Sequence, residues 1–289
     1  MKSPDLSSHI ITEKAIHSFD GAIGDRHRKL LQGIVKHLHA FVLDTRPTEE
    51  EWLTAIRFLT ETGKTCDGAV RQEFILLSDV LGVSMLVDAL NHDRSASATE
   101  STVFGPFYIE GMPDRGYGEN MSTSQDVPLL LCGKITDDFG RPIADAVLDV
   151  WQAASNGMYS GQDKLQSLDN LRGKYHTNKV GNYAIQSILP PRYPIPDDGP
   201  VGRLLKVGGR HPWRPAHVHF KIAAEGHHEL VTHLFNEEDE YLESDAVFGV
   251  KDSLKVSFRL TDVDHPRARE FGFNEPFYLA EFDFALEAS

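Results

Sequence analysis

The chain has 289 residues, of which 40% are hydrophobic and 25% charged, a composition typical of a globular protein with an extensive buried core. Its formal net charge of −14 argues against a nucleic-acid partner, because phosphate binding requires a basic surface. The sequence contains no apolar run of the roughly 18 residues that a transmembrane helix needs, so we expect no membrane insertion.

The first hundred residues or so are predicted to be helical. Apolar side chains recur at helical spacing through Asp25–Asp44, and a second helical pattern follows Thr48 and Glu51, which have the spacing of a capping box. A third helical segment is predicted over Arg71–Asn91, and Gly82 should weaken it locally.

After about residue 100 the pattern changes to short strands separated by turns. The predicted strands are Pro128–Ile135, Ala146–Ala153, Lys174–Thr177, Asn182–Ile188, His217–Ala224, Glu229–Phe235, Leu254–Leu260 and Phe277–Leu286. Many short strands without intervening helices are typical of a β-sandwich. We therefore predict an α+β protein, with a helical region over 1–100 and a mostly antiparallel β-sandwich domain over 101–289.

Cysteine usage limits both the metal chemistry and the location. Cys66 and Cys132 are the only cysteines, too few for a disulfide framework or a sulfur-rich metal site. Any metal must therefore use nitrogen and oxygen ligands. Because the first residues also lack the apolar core of a signal peptide, we expect a cytoplasmic location.

His217 and His219 have the most informative spacing in the chain. Residues two apart in a strand point to the same side, so both imidazoles can bind one metal ion, although incidental strand histidines are an alternative. Arg214 adds a positive charge suited to an anionic ligand. A carboxylate would complete a ferrous site and a third histidine a zinc site. Spacing does not select among the other histidines of this region, which are His176, His211, His227, His228 and His233.

Six motifs occur in order along the chain. They are Glu100–Tyr108, Asp149–Ala153, Gly157–Ser160, Pro190–Pro196, Arg210–His219 and Ser244–Val250. In these motifs the chain resembles the intradiol ring-cleaving dioxygenases, and among them those that act on hydroxyquinol. The similarity extends from about Leu30 almost to the C-terminus. It implies that the β-sandwich is the catalytic domain.

The resemblance implies one Fe(III) per subunit, held by Tyr159, Tyr193, His217 and His219. Two phenolates are hard anionic donors that favour Fe(III) over Fe(II). An aromatic diol or triol would chelate as a dianion and displace hydroxide and Tyr193, and these two leaving ligands can take the two substrate protons. Reaction with O2 between the two hydroxyl-bearing carbons would give 3-hydroxy-cis,cis-muconate from hydroxyquinol.

Two further catalytic residues follow from the resemblance. Arg214 would stabilise the charge that develops on the ring, and a structural salt bridge is its alternative role. His233 matches a polar position beside the iron ligands. A two-residue turn at Gly226 would point His233 away from His217, whereas an odd-length loop would point it inward, and we expect the inward orientation.

Substrate contacts are also implied by the resemblance. Leu76 and Asp79 lie one helical turn apart, and Asp79 would be the polar partner of the third hydroxyl of hydroxyquinol. The alternative places Asp79 on the solvated side of its helix. The other residues expected to form the pocket wall are Val103, Phe104, Gly105, Pro106, Phe107, Ile195, Pro196 and Val247.

The resemblance further implies a homodimer formed through the N-terminal helices, with a phospholipid in an apolar channel between them. The apolar stripes of Leu30–Val42 and Leu53–Leu59 suit that role, and packing on the sandwich would explain them equally well. The stretch from Asn236 to Tyr241 is more acidic than the turn expected after the His233 strand, and we expect it to alter a surface loop.

Three alternative functions remain open at this point. A catechol or chlorocatechol 1,2-dioxygenase would use the same iron site. A non-catalytic β-sandwich that binds a ligand would need neither metal nor aligned tyrosines. A zinc hydrolase is weakened by the lack of an obvious carboxylate base near the histidine pair.

Overall fold

The computed structural model describes residues 6–67, 71–92 and 94–289. The chain divides into two compact units, the first ending at Glu61 and the second beginning at Thr62. Among the described helices none is long and apolar enough to cross a membrane. The division after residue 100 that the sequence suggests stays a prediction.

The first unit contains helices α1 (Leu6–His17), α2 (Asp25–Thr45) and most of α3 (Glu49–Thr65). The capping box at the start of α3 is confirmed. The backbone N–H of Thr48 donates to Glu51 Oε2 at 2.7 Å, and that of Glu51 donates to Thr48 Oγ1 at 3.2 Å. Helix α1 was not predicted from the sequence.

The single helix predicted over Arg71–Asn91 is wrong. Two helices occupy the segment, α4 (Glu73–Val80) and α5 (Val83–Asn91). Between them Gly82 adopts a left-handed conformation with φ of 72°, which ends one helix and redirects the next.

Two five-stranded sheets and a two-stranded ribbon follow in the second unit. The strands are β1 (Pro128–Asp137), β2 (Val147–Trp151), β3 (Arg172–His176), β4 (Asn182–Ile188), β5 (Tyr193–Pro194), β6 (Trp213–Arg214), β7 (His217–Ala223), β8 (Leu230–Asn236), β9 (Lys255–Val256), β10 (Arg259–Thr261), β11 (Phe277–Glu281) and β12 (Phe284–Leu286). One sheet has the order β10-β11-β1-β12, with β4 also paired to β1, and the other has the order β3-β2-β7-β8-β9. Helices α6 (Pro200–Val207) and α7 (Pro266–Phe271) lie between strands in sequence.

Most strand pairs are antiparallel, but β8 pairs in parallel with β9, and β1 pairs in parallel with β11 and then with β12. The single strand predicted over Phe277–Leu286 is therefore wrong. The segment is divided at Phe282, between β11 and β12. There its backbone passes Gly133 so closely that a Cβ at that glycine would overlap the Phe282 carbonyl. The segment Leu254–Leu260 is likewise divided, into β9 and β10.

Side-chain alternation along β7 separates the core from the outer face of its sheet. Val218, Phe220 and Ile222 are fully buried in the hydrophobic core that both large sheets share. His217 and His219 therefore point to the opposite face. The fold class is confirmed, with a helical N-terminal region followed by a sandwich of mixed but mainly antiparallel sheets.

Candidate metal centre and substrate cavity

The two histidines of β7 lie near the middle of their sheet, between β2 and β8. His219 pairs with Trp151 on one side and with His233 on the other. The Trp151 ring stacks on the His219 imidazole with centroids 4.8 Å apart. All of these side chains are at most 2% exposed, so the imidazoles have little freedom to rotate.

Two tyrosines approach the histidines from outside the sheet. Tyr159 lies in the segment after β2, and Tyr193 begins β5, where it pairs with Arg214 of β6. Gly157 makes this approach possible, because it adopts φ of 79° and a Cβ there would lie 3.2 Å from the Tyr193 Cβ. The sequence spacing alone could not show that Tyr159 and Tyr193 meet.

Four donor atoms form a closed ring. Tyr159 Oη lies 2.8 Å from His219 Nε2, which lies 3.1 Å from His217 Nε2. His217 Nε2 lies 3.5 Å from Tyr193 Oη, which is 3.2 Å from Tyr159 Oη. A centre equidistant from such atoms would lie about 2 Å from each, which is the length of metal bonds to nitrogen and oxygen. The residues present therefore fit one metal ion.

The protonation states suit metal binding. His217 Nδ1 lies 2.7 Å from the Pro215 carbonyl, so Nδ1 carries the hydrogen and the Nε2 lone pair faces the other donors. Burial lowers the pKa of His217 and His219 well below the usual value, and the positive charge of Arg214 lowers both further. Both rings are thus held neutral, the form that binds metals.

Burial also raises the pKa of Tyr159 well above its usual value, and the neighbouring Tyr193 adds to this effect. Arg214 and Arg172 oppose it. A multivalent cation between the two phenols would reverse the balance, since a bound metal ion is the largest local charge and lowers the pKa of its ligands.

Arg214 is 3% exposed and makes contacts that bear on both roles considered from the sequence. Its Nε lies 3.1 Å from Asp245 Oδ1 and its Nη2 lies 3.3 Å from Asp245 Oδ2, which makes a buried salt bridge. Its Nη1 lies 3.3 Å from His217 Nε2, so one edge of the guanidinium faces the donor ring. The sequence analysis did not identify Asp245, although it lies within a recognised motif.

His233 lies on the same face of the sheet as His217 and His219, because it pairs directly with His219. The strands close at Ile222 and Leu230, so the connection has an odd length and the expected orientation towards the His217 face is confirmed. Its ring packs edge-on to His219 at 4.0 Å. Neither ring nitrogen makes a hydrogen bond of normal geometry within the described residues. Burial lowers the pKa of His233 well below the usual value, and the neighbouring His217 and Arg214 lower it further. The backbone of Val103 opposes this change.

A cavity of about 610 Å³ opens beside the donor ring. Six of the residues predicted from the sequence line it, namely Leu76, Pro106, Phe107, Tyr193, Ile195 and Pro196. Of the two tyrosines only Tyr193 lines the cavity, whereas Tyr159 stacks on Phe107 with ring centroids 4.5 Å apart.

The remaining predicted pocket residues lie near the cavity without lining it. Val103 and Val247 pack with Leu76 in one buried apolar cluster. Phe104 is 40% exposed and packs edge-on against Tyr108. Gly105 adopts φ of 76°, and a Cβ there would lie 3.2 Å from His219 Cε1, so this glycine allows the chain to cover the imidazole.

Asp79 is buried, so its placement on the solvated side of the helix is wrong. It is 6% exposed and shares its helix face with Leu76. Burial raises the pKa of its carboxyl, while a hydrogen bond with Ser84 and the charge of Arg214 oppose that rise. The carboxyl is thus a buried polar group that does not line the cavity itself and lies on the Leu76 face of its helix.

Arg172 is a further buried charge that the sequence analysis missed. It is 2% exposed, donates from Nε to Ser160 Oγ at 2.8 Å, and lies 5.9 Å from the centre of the Tyr159 ring. Burial lowers its pKa to about 10. The predicted strand began at Lys174, so the sequence indicated neither that Arg172 opens β3 nor that it lies against Tyr159.

Two family models match the chain. The model described as dioxygenase covers residues 103–287, and that described as catechol dioxygenase N terminus covers residues 24–99. The sandwich and its donor ring lie within the first of these. The fold and site therefore define a dioxygenase.

Comparison with known relatives shows which kind of dioxygenase the chain is. Hydroxyquinol 1,2-dioxygenase of Rhizobium sp. (strain MTP-10005) is 44% identical over 293 residues, covering 99% of each chain. The structure of hydroxyquinol 1,2-dioxygenase from Pseudomonas putida DLL-E4 is 54% identical with a TM-score of 0.94, covering 98% of this chain and 99% of that one. Catechol 1,2-dioxygenase from Pseudomonas arvilla C-1 is 30% identical with a TM-score of 0.83, covering 99% and 93%. The chain belongs to the intradiol ring-cleaving dioxygenases and is an oxidoreductase.

Proposed function

We propose that this protein cleaves hydroxyquinol with O2 between its two adjacent hydroxyl-bearing carbons, to give 3-hydroxy-cis,cis-muconate, with one Fe(III) per subunit. The observation that carries the proposal is the closed ring of two phenol oxygens and two imidazole nitrogens, with edges of 2.8–3.5 Å. Relatives that act on hydroxyquinol match almost the whole chain, which supports the choice of substrate.

Tyr159, Tyr193, His217 and His219 would hold the iron. Two phenolates and two neutral imidazoles suit a trivalent ion, because hard anionic oxygens neutralise its charge. When bound, Fe(III) would supply a Lewis acid for the two adjacent oxygens of the substrate.

The protein's own groups would handle protons and charge. Tyr193 borders the cavity, so its oxygen, in the phenolate form, would be placed to accept a proton that a substrate hydroxyl releases there. Arg214 Nη1 faces the same region and would stabilise negative charge as it develops on the ring. His233 would add a polar edge beside His219.

The third hydroxyl of hydroxyquinol would be bound by Asp79. The cavity wall is apolar at Leu76, and Val103 and Val247 pack in the same apolar cluster, so a hydroxyl placed there needs a partner. An unpaired buried hydroxyl costs about 1–3 kcal/mol, which is large enough to set a preference over catechol.

Replacing Asp79 with alanine should therefore lower the ratio of kcat/KM for hydroxyquinol to that for catechol by about tenfold, within the range that 1–3 kcal/mol allows. The measurement is steady-state turnover of both substrates. Leu76→Val is the matched control on the same helix face, and it should affect both substrates alike because both present an apolar ring. An unchanged ratio in Asp79→Ala would contradict the role of Asp79.

The proposal as a whole is tested by metal content, visible absorption and turnover of the purified protein. We expect about one iron per subunit, a red-brown colour from Fe(III)–phenolate charge transfer, and faster cleavage of hydroxyquinol than of catechol. A colourless protein that contains zinc would contradict the assignment of iron. Faster cleavage of catechol would instead favour a catechol 1,2-dioxygenase, the second candidate, which the catechol dioxygenase match and the Pseudomonas arvilla relative support.

We also propose a homodimer formed through the N-terminal helices, with a bound phospholipid, in the cytoplasm. The support is an exposed apolar stripe on α2 and α3, formed by Leu30, Leu31, Ile34, Leu38, Phe41, Val42, Trp52, Leu53, Ile56 and Leu59, each at least 37% exposed. A patch of this kind is typical of a buried interface. Light scattering of the purified protein and mass spectrometry of its lipid extract would test the dimer and the lipid.

A further inference from the structure

We propose that Asp239 is a positioning residue that ties the segment carrying Tyr193 to the segment carrying His217. The inference rests on the proposed iron site and goes beyond it, because Asp239 is not a ligand. The acidic stretch 236–241 was expected to alter a surface loop, and it does form a loop after β8, in which Asp239 is the buried acidic residue. Its side chain is buried, whereas Glu237, Glu238 and Glu240 are exposed.

The first link runs to the start of β7. Asp239 Oδ2 accepts a hydrogen bond from the backbone N–H of Ala216 at 3.0 Å, and Ala216 directly precedes His217. Oδ1 accepts from the backbone N–H of Tyr241 at 3.0 Å, which fixes the orientation of the carboxylate. The Asp239 carboxylate is thus anchored one residue from a proposed metal ligand.

The second link runs to β5. Arg192 Nε lies 3.7 Å from the same Oδ2 atom, and Arg192 directly precedes Tyr193. Arg192 is further held by an ion pair with Glu240 and lies 5.5 Å from the centre of the Tyr241 ring. A single carboxylate oxygen therefore contacts the neighbours of two ligands that are 24 residues apart in sequence.

A third contact joins the same loop to the strand paired with β5. The rings of Tyr241 and Trp213 stack with centroids 5.7 Å apart, and Trp213 precedes Arg214. The ribbon of β5 and β6 has only two residue pairs, Tyr193 with Arg214 and Pro194 with Trp213. So short a ribbon has little stability of its own and depends on contacts outside it.

The consequence for a metal ion follows from geometry. Donor atoms must hold their positions to a few tenths of an ångström, and outer partners that orient ligands typically change metal affinity by about 10–100-fold when removed. Without the Asp239 carboxylate, the Tyr193 ribbon and the start of β7 would be less tightly fixed to each other. The four donors would then match a single ion less well.

The test is iron affinity, measured on the iron-loaded full chain by competition with a chelator. Asp239→Ala removes both hydrogen bonds and the charge, and Asp239→Asn keeps an oxygen acceptor but removes the charge. Glu238→Gln is the matched control, since it also loses one negative charge in this loop but from an exposed side chain. We expect affinity to fall about 10–100-fold in Asp239→Ala, by less in Asp239→Asn, and not at all in Glu238→Gln.

The visible absorption band gives a second measurement that general destabilisation would not move. In both Asp239 variants the band should shift, because the Tyr193 oxygen no longer has its wild-type distance to the iron. If a folded Asp239 variant keeps the wild-type affinity and band, the inference fails. Arg192→Gln tests the same link from the other side should Asp239→Ala not fold. If the wild-type protein itself takes up no iron, the result contradicts the proposed function and not only the role of Asp239.

Discussion

Replacing Tyr193 with phenylalanine is expected to lower kcat on hydroxyquinol by about 10²–10⁴-fold, the usual contribution of a group that accepts a proton in the transition state. The variant keeps the ring that packs among Trp151, Ala153 and Tyr159 and loses only the oxygen. That oxygen lies 3.2 Å from Tyr159 Oη, so the visible band should also change as one phenolate is lost. Stopped-flow kinetics and absorption spectra of the iron-loaded variant are the measurements.

Tyr183→Phe is the matched control for this substitution. Tyr183 is also fully buried, but it lies in the sandwich core and donates its hydroxyl hydrogen to the Phe282 carbonyl at 2.8 Å. Its loss should reduce stability by about 1 kcal/mol and leave both kcat and the visible band unchanged. If Tyr193→Phe behaved like Tyr183→Phe, Tyr193 would be neither a ligand nor a proton acceptor.

Arg214→Gln is expected to lower kcat by about 10²–10³-fold, as removal of a preorganised donor near developing charge typically does. The same change leaves the buried Asp245 carboxylate without its partner, which costs about 3–5 kcal/mol of the free energy of unfolding. Chemical denaturation and steady-state kinetics on one preparation would measure both effects.

The double variant Arg214→Gln/Asp245→Asn separates the two roles of this arginine. It removes the unpaired carboxylate, so the free energy of unfolding should recover while kcat stays low. If kcat recovered together with stability, Arg214 would act only as the partner of Asp245. The salt bridge would then be the whole explanation of this residue.

Local patterns predicted much of the fold. The alternation of β7 put His217 and His219 on one face, and the capping box marked the start of α3, because both depend on residues close in sequence. Helices α1, α6 and α7 were missed. The break at Gly82 was underestimated, because sequence spacing cannot show whether a glycine only weakens a helix or adopts the left-handed conformation that ends it.

The residues of the site were harder to predict from sequence patterns than the strands and helices. Tyr159 and Tyr193 were selected by resemblance, since nothing local distinguishes them from the other tyrosines. Burial of Arg172 and Asp239 depends on which segments pack over them, and their own neighbours in sequence do not reveal it. The partnership of Arg214 with Asp245 likewise joins positions 31 residues apart.

The four donors differ in how firmly the protein holds them. His217 and His219 belong to a strand with neighbours on both sides, and Tyr159 is wedged between Phe107 and Arg172. Tyr193 alone belongs to a ribbon of two residue pairs at a cavity wall. If the four donors hold a metal ion as proposed, three of them are fixed by their surroundings. Tyr193 would then be the ligand that a chelating substrate displaces most easily, and the other three would keep the ion in place.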